Sequence, residues 1–335
     1  MKVAVTSSTI ITSPPSPQMY GGLEVEASLR ARFFAEKGDD VWLFCLRGSR
    51  VAWTLRWGLP PANVHFVEEG YEQAYLNHKD VLDDVELIID DSWTGVVAEA
   101  YPEKAVKIWH ASAPPHMFRL KDEVKHYGVS KFHKELIERV LGVKAGYIYN
   151  AVDPDEYPFN DGERGDFILY MNRIDRDKGA GTFVRLCKDL NVKGVMVGED
   201  EIVADREYVY ELMRNMPENI EYLGRVPHKI KVELLQRAKC LVAPLSPNYI
   251  EVFGLYCVEA NLVGTPVVAF KNGALPELVE DGVNGYLAET YDELAEKLRK
   301  VGDIDPWKCR ERALRFSYRE LWSTHKLNFY SCSSN

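Results

Sequence analysis

Residues 167–179 read FILYMNRIDRDKG. Five consecutive apolar or aromatic side chains give way abruptly to charge and then to a glycine. A run so short and so uniformly apolar marks a strand buried on both faces, as in parallel sheets whose two sides are covered by helices. The charged stretch is then a β–α loop at the carboxyl end of the strand, the edge where open parallel sheets bind ligands.

The same alternation of short apolar runs with amphipathic stretches extends outward in both directions, and it predicts an α/β chain of β–α–β units. Strands are predicted before it at Lys2–Thr6, Val41–Leu46, Leu87–Asp90, Ala105–Trp109, Lys125–Val129 and Tyr147–Tyr149. Beyond Phe167–Met171 they are predicted at Gly194–Val197, Ile220–Leu223, Cys240–Ala243 and Pro266–Ala269. Helical apolar spacing over Leu23–Lys37, closed by Gly38, lies between the first two strands. The stretch from Asp305 reads as one further helix, with Trp307, Ala313, Leu314, Leu321 and Trp322 as apolar markers. Residues Asp153–Asp166 (DPDEYPFNDGERGD) are polar and carry two prolines and two glycines, which is linker composition. Two similar halves follow from the pattern.

Composition narrows the function classes. The chain has 335 residues, 46% hydrophobic and 27% charged, with a formal net charge of -10. That balance argues against nucleic-acid binding while leaving room for a local basic pocket. No run of about 18 apolar residues occurs, and no basic segment followed by an apolar stretch opens the chain. The six cysteines are scattered without a C-x-x-C pair, as expected of buried thiols in the cytoplasm. Membrane contact is limited to a weak peripheral one at the inner surface, through the basic residues from Arg119 to Arg139. Four interleaved carboxylates make a solvated helical face the better reading of that segment.

Three stretches carry candidate chemistry. The loop after the first strand ends in Gly21-Gly22, which would let backbone approach a ligand closely; an ordinary turn is the plain alternative. In the opening stretch Arg173, Arg176 and Lys178 fall within six residues, suited to phosphate. Asp175 and Asp177 offer two alternatives, internal neutralisation of those cations or a D-x-D metal site. Phosphate is preferred, because every neighbour would repel a divalent cation. Third, Glu251–Gly264 reads EVFGLYCVEANLVG, with helical spacing over Val252–Leu262. A helix rising about 1.5 Å per residue would set Glu251 and Glu259 roughly 12 Å apart. That exceeds the roughly 5–9.5 Å of a glycosidase carboxylate pair and suits two ends of one elongated ligand. An amphipathic helix with two solvated glutamates explains the spacing equally well.

Together these residues resemble the retaining GT-B glycosyltransferases of family four, the glycosyl transferases group 1. Gly21-Gly22-Leu23-Glu24 resembles the N-terminal glycine loop and Asn150-Ala151-Val152-Asp153 the junction segment. Arg173-x4-Lys178-Gly179 is similar to the family's R-x4-K-G. Glu251-x-Phe253-Gly254-x4-Glu259, with Gly264-x-Pro266-Val267-Val268 and Pro276-Glu277 downstream, resembles its E-x7-E signature. Asn172, Asn261 and Ala274 depart from the pattern; none removes a charged ligand.

The resemblance implies two Rossmann-like domains whose parallel sheets face an interdomain cleft. Residues 1–155 would form the acceptor domain, 156–311 the donor domain, and a helix at 312–335 would cross back onto the first. It implies that Arg173 and Lys178 bind the pyrophosphate of a nucleoside-diphosphate sugar, with Gly21 and Gly22 close to the same phosphates. Glu251, beside the Phe253-Gly254-Leu255 backbone, would hold the transferred sugar, Glu259 the ribose, and Val226 would border the base. His110 matches a histidine beside the sugar, although a strand-end histidine bonded to backbone is the commoner case. The implied reaction passes a hexosyl group to a carbohydrate or lipid-linked acceptor with no metal or cofactor, the nucleotide sugar being a substrate. A sugar-nucleotide epimerase, a metal-dependent transferase and a non-catalytic sugar-nucleotide-binding module are the alternatives.

Overall fold

The computed structural model describes residues 1–13, 21–49, 63–68, 70–111, 120–198 and 205–323. They divide into two compact units, one of residues 1–151 together with the chain from Tyr318, the other Val152–Ser317.

The first unit is built on seven strands: β1 (Lys2–Thr6), β2 (Asp40–Leu46), β3 (Val64–Val67), β4 (Leu87–Asp90), β5 (Ala105–Ile108), β6 (Lys125–Gly128) and β7 (Ala145–Tyr147). All pair in parallel, in the order β3-β2-β1-β4-β5-β6-β7. The second unit carries β8 (Ile168–Met171), β9 (Gly194–Val197), β10 (Ile220–Tyr222), β11 (Cys240–Ala243), β12 (Val267–Phe270) and β13 (Gly285–Ala288). These too are parallel, in the order β10-β9-β8-β11-β12-β13. In each sheet the order reverses beside the first strand of the unit. The ligand crevice of such a sheet opens at that reversal, which falls between β1 and β4 in one unit and between β8 and β11 in the other.

Central strands are buried throughout: Val3, Ala4 and Val5 in β1, and all of β4, β8 and β11. Edge strands differ. β3 and β13 show two half-exposed middle residues each, so their apolar signal is weak, and neither is predicted from the sequence. β7 begins two residues before its expected position.

Two predicted helices are corrected. The one expected over Val252–Leu262 spans Leu255–Leu262 and starts behind Gly254, whose φ of 99° lies in the left-handed region. Only Glu259 is helical, so helix rise does not set its distance from Glu251. The helix expected from Asp305 runs over Pro306–Leu314, breaks at a turn, and helical structure resumes at Tyr318. Asp305 starts it by accepting the Trp307 amide, with proline at the first position. At the break Val152 takes the Phe316 carbonyl and bridges to Ser317.

In the first unit Trp322 packs edge-on against Phe33, and Tyr318 donates to Glu36. Cys45, Cys187, Cys240, Cys257 and Cys309 are buried free thiols, whereas Cys332 and Arg119 lie outside the described residues. Among the described residues no helix is long and apolar enough to cross a membrane.

Candidate functional site

The loop after β8 and the loop after β11 lie side by side across the reversal of the second sheet. The Ser246 amide donates to the Asp177 carbonyl, tying one to the other. Gly179 makes the approach feasible: its φ is 77°, and a Cβ there would stand 1.8 Å from the Pro244 carbonyl oxygen. Behind it the Ala180–Leu190 helix begins.

Lys178 is buried and points across this junction. Its ammonium lies 2.7 Å from Glu251 Oε2, donates to Tyr249 Oη at 2.9 Å, and stands 4.0 Å from the centre of the Tyr249 ring. Glu251, equally buried, also accepts from Tyr256 Oη at 3.1 Å. Its backbone is clamped by Asn272, whose side chain accepts the Glu251 amide, and by Ala274, whose amide meets the Glu251 carbonyl. Gly273, at φ 51°, leaves room for that carbonyl; a Cβ there would be 2.0 Å away from it. The Ala274 that departs from the family pattern therefore sits one residue beyond the position where glycine is required.

Arg173 is less enclosed, with 27% of its side chain exposed, and pairs with Asp175 at 3.0 Å. Asp175 accepts the Lys178 amide as well, at 2.6 Å. This is the internal neutralisation left open by the sequence, and it occupies the first carboxylate of the D-x-D pair.

Glu259 sits on the Leu255–Leu262 helix between Lys231 (2.8 Å) and the Tyr157 hydroxyl (2.6 Å). Burial pushes its carboxyl up, but the charge and hydrogen bond of Lys231 outweigh it and hold the group below the usual range. Phe253 is buried edge-on against Phe316, and Gly254 and Leu255 form the helix entry with no side-chain cap. Val226 is half-buried in the loop after β10.

The residues expected from the first half gather at the reversal of the first sheet. Gly21 is extended and opens the Gly22–Glu36 helix; a Cβ on it would overlap the Glu24 carboxyl at 2.4 Å. Glu24 is buried, takes a hydrogen bond from Ser8, and is pushed up to about 7 by burial. His110 follows β5 with its side chain 8% exposed, its Nε2 2.6 Å from Asp91 Oδ1 just beyond β4. A carboxylate therefore replaces the backbone partner that a strand-end histidine commonly takes.

Sequence reasoning missed Tyr249, Tyr256, Asn272, Lys231, Tyr157 and Asp91. Asp91 alone had a local signal, a second acid directly after a buried strand. Tyr249 and Tyr256 flank Glu251 without a distinguishing pattern, and Asn272, Lys231 and Tyr157 are brought in by folding from remote positions.

Residues 155–318 match the model of a family described as glycosyl transferases group 1. An uncharacterized glycosyltransferase (MJ1178) of Methanocaldococcus jannaschii is 30% identical over 198 residues, 58% of this chain and 54% of that protein. The chain spans about half the length of the first curated relatives it matches, or less. A glycosyltransferase involved in avilamycin A biosynthesis, AviGT4, superimposes with a TM-score of 0.75 at 22% identity, covering 100% of this chain and 98% of that one. Anabaena Alr3699/HepE in complex with UDP-glucose gives 0.76 at 17% identity, covering 99% and 100%. The fold is accordingly the two-sheet α/β architecture of the GT-B class.

Proposed function

We propose that this chain, whose residues 155–318 belong to the glycosyl transferases group 1 family, is a glycosyltransferase that draws a sugar from a nucleoside-diphosphate donor. The observation that carries the reading is the buried Lys178–Glu251 pair at the reversal of the second sheet, with Arg173 on the same loop.

The reasoning is electrostatic. Cleaving a sugar–phosphate bond gathers negative charge on the departing diphosphate, and fixed cations already facing it lower the barrier without reorganising. Arg173 and Lys178 would face the diphosphate. Asp175 and Glu251 balance their charge in the structure. A diphosphate takes over that balance and frees Glu251 for a hydroxyl of the transferred sugar. Glu259, kept ionised by Lys231, accepts from the ribose hydroxyls. Two cations serve in place of a metal ion, and the acceptor, a carbohydrate or lipid-linked group, attacks from the side the diphosphate leaves. That geometry gives retention of the anomeric configuration. The reading places the enzyme in the cytoplasm, with at most weak contact at the membrane surface.

UDP-glucose is the first probe, because a protein of the same fold is solved with it. Release of the corresponding nucleoside diphosphate is followed over a panel of nucleoside-diphosphate sugars, with and without excess EDTA. Release that persists in EDTA is expected. Loss in chelator with recovery on Mn²⁺ would replace this reading by one in which Asp175 and Asp177 hold a metal. Isomerised donor without UDP release, read by NMR, would make the protein an epimerase. Binding without turnover would leave a binding module.

A further inference from the structure

In the first unit a line of buried charge runs beneath the loop that follows β4. His110 Nε2 lies 2.6 Å from Asp91 Oδ1, and the same oxygen accepts from Arg30 Nη1 at 2.7 Å. Arg30 Nη2 stands 3.4 Å from Glu26, whose two carboxyl oxygens face the Ala151 amide at 3.0 and 3.2 Å. None of these four side chains is more than 8% exposed. The Trp322 ring lies 5.1 Å from the Arg30 guanidinium, and its N–H is tied to the Tyr149 carbonyl. Lys107, also buried, donates to the Asp90, Ser92 and Ile108 carbonyls and so holds the backbone on either side of Asp91. The transferase chemistry makes no direct use of Asp91, Arg30 or Glu26, and buried charge of this kind persists only when it is paired.

The protonation states follow from the surroundings. Burial pushes the Asp91 carboxyl up, but Arg30, His110 and Lys107 outweigh it, and the group is held below the usual range. Burial is the largest influence on His110 and holds its imidazole low; Arg30 and Lys107 add to this, and Asp91 opposes it. Burial raises Glu26 to about 8, so the line carries one arginine and one carboxylate near neutrality. An ionised carboxylate can only accept. The proton of the short contact therefore sits on His110 Nε2, and a neutral imidazole has no second one. Among the described residues none bonds Nδ1.

We propose that Asp91 is a positioning residue that locks His110 as the Nε2–H tautomer, so that His110 meets its ligand through the Nδ1 lone pair. Resting on the transferase reading, and on the family resemblance that implies a place for His110 beside the transferred sugar, this makes His110 an acceptor of a hydrogen bond from a sugar hydroxyl. Arg30 holds Asp91 ionised and oriented. Glu26 and Trp322 hold Arg30, so the lock is anchored on the Ala151 amide and on the returning C-terminal segment. The tautomer is thereby set by residues that never touch the ligand.

The test uses the full chain with ¹⁵N-labelled histidine. Two-bond ¹H–¹⁵N correlation spectra distinguish the tautomers of its eight histidines, and the pattern missing from His110→Gln identifies residue 110. Wild type at pH 7 should show Nε2 protonated and Nδ1 bare. Asp91→Ala should show both tautomers, and UDP release from UDP-glucose should fall at least tenfold with the donor KM unchanged. A wild-type His110 carrying its proton on Nδ1, or doubly protonated, overturns the proposal whether or not Asp91→Ala folds. So does a folded Asp91→Ala that keeps the wild-type tautomer. The spectrum needs no substrate, so its outcome is separate from that of the transferase reading, which the wild-type turnover assay reports.

Discussion

Arg173 and Lys178 are both cations of one loop, yet their surroundings make them different probes. Arg173 pairs with Asp175 at a partly exposed position. Arg173→Ala is expected to cost turnover about 2.7–4 kcal/mol of barrier, some 10²- to 10³-fold, with the denaturation midpoint nearly unmoved. Lys178→Ala also strands Glu251, which is buried and has its short contact with that ammonium. Breaking one side of such a pair costs on the order of 3–5 kcal/mol, so this variant should lose stability as well as turnover. Adding Glu251→Gln should restore part of the stability and none of the turnover. Urea titration beside UDP release decides it, and a Lys178→Ala protein as stable as wild type contradicts the buried pair. The two glutamates separate in the same way. Glu259→Gln should weaken binding of free nucleoside diphosphate in calorimetry, because it loosens the site held by Lys231 and Tyr157. Glu251→Gln should leave that binding intact and lower kcat together with kcat/KM. Equal loss of diphosphate affinity in both would sink the assignment of opposite ligand ends.

At the scale of elements, the loops depend on backbone that only glycine supplies. Gly179 combines a φ of 77° with a Cβ position 1.8 Å from the Pro244 carbonyl. Gly179→Ala must therefore push apart the loops after β8 and β11, not merely strain one residue. A loss of stability above the roughly 1 kcal/mol of an unfavourable backbone alone is expected, together with reduced turnover as Lys178 is displaced. A variant with wild-type midpoint and rate would show that the loops can separate freely. The elements themselves were legible where burial is complete. β1, β4, β9 and β11 lie at their predicted positions because their strands are apolar on both faces. β3 and β13 were not, because an edge strand needs only half the apolar residues and leaves too short a signal. The helix expected from Val252 begins three residues later, since Gly254 takes a left-handed conformation and the preceding loop folds against Asn272 and Gly273.

At the scale of the whole molecule, the two units carry different electrostatics in their interiors. In the second, Lys231 holds buried Glu259 low; in the first, burial holds Glu24 and Glu26 high, at about 7 and about 8. A carboxyl raised on folding binds its proton more tightly in the native state. Its contribution is complete below the unfolded value of about 4.5 and is lost as pH rises through the native value. Stability of the first unit should therefore decline between about pH 5 and 8, and Glu26→Gln, neutral and of the same shape, should remove part of that decline. Calorimetric melts of wild type and variant across this range test it. Parallel pH curves would mean that Glu26 is ionised in the native protein.

Local order along the chain was enough to determine the α/β class, two halves, most central strands and the cationic loop ending in Lys178-Gly179. Those features depend on neighbours within a few residues, through apolar periodicity and the conformational needs of glycine. The family resemblance supplied the candidate roles for the charged residues. What faces what was decided by tertiary structure. Lys178 and Glu251 are 73 positions apart, Glu259 and Tyr157 are 102, and Glu26 and the Ala151 amide are 125. Lys178 and Glu251 meet because the loops after β8 and β11 lie side by side where the sheet order reverses, and Glu259 meets Lys231 because two helices remote in sequence pack together. A single chain records that a residue is an acid, but burial and the distance to its neighbours decide whether it is ionised.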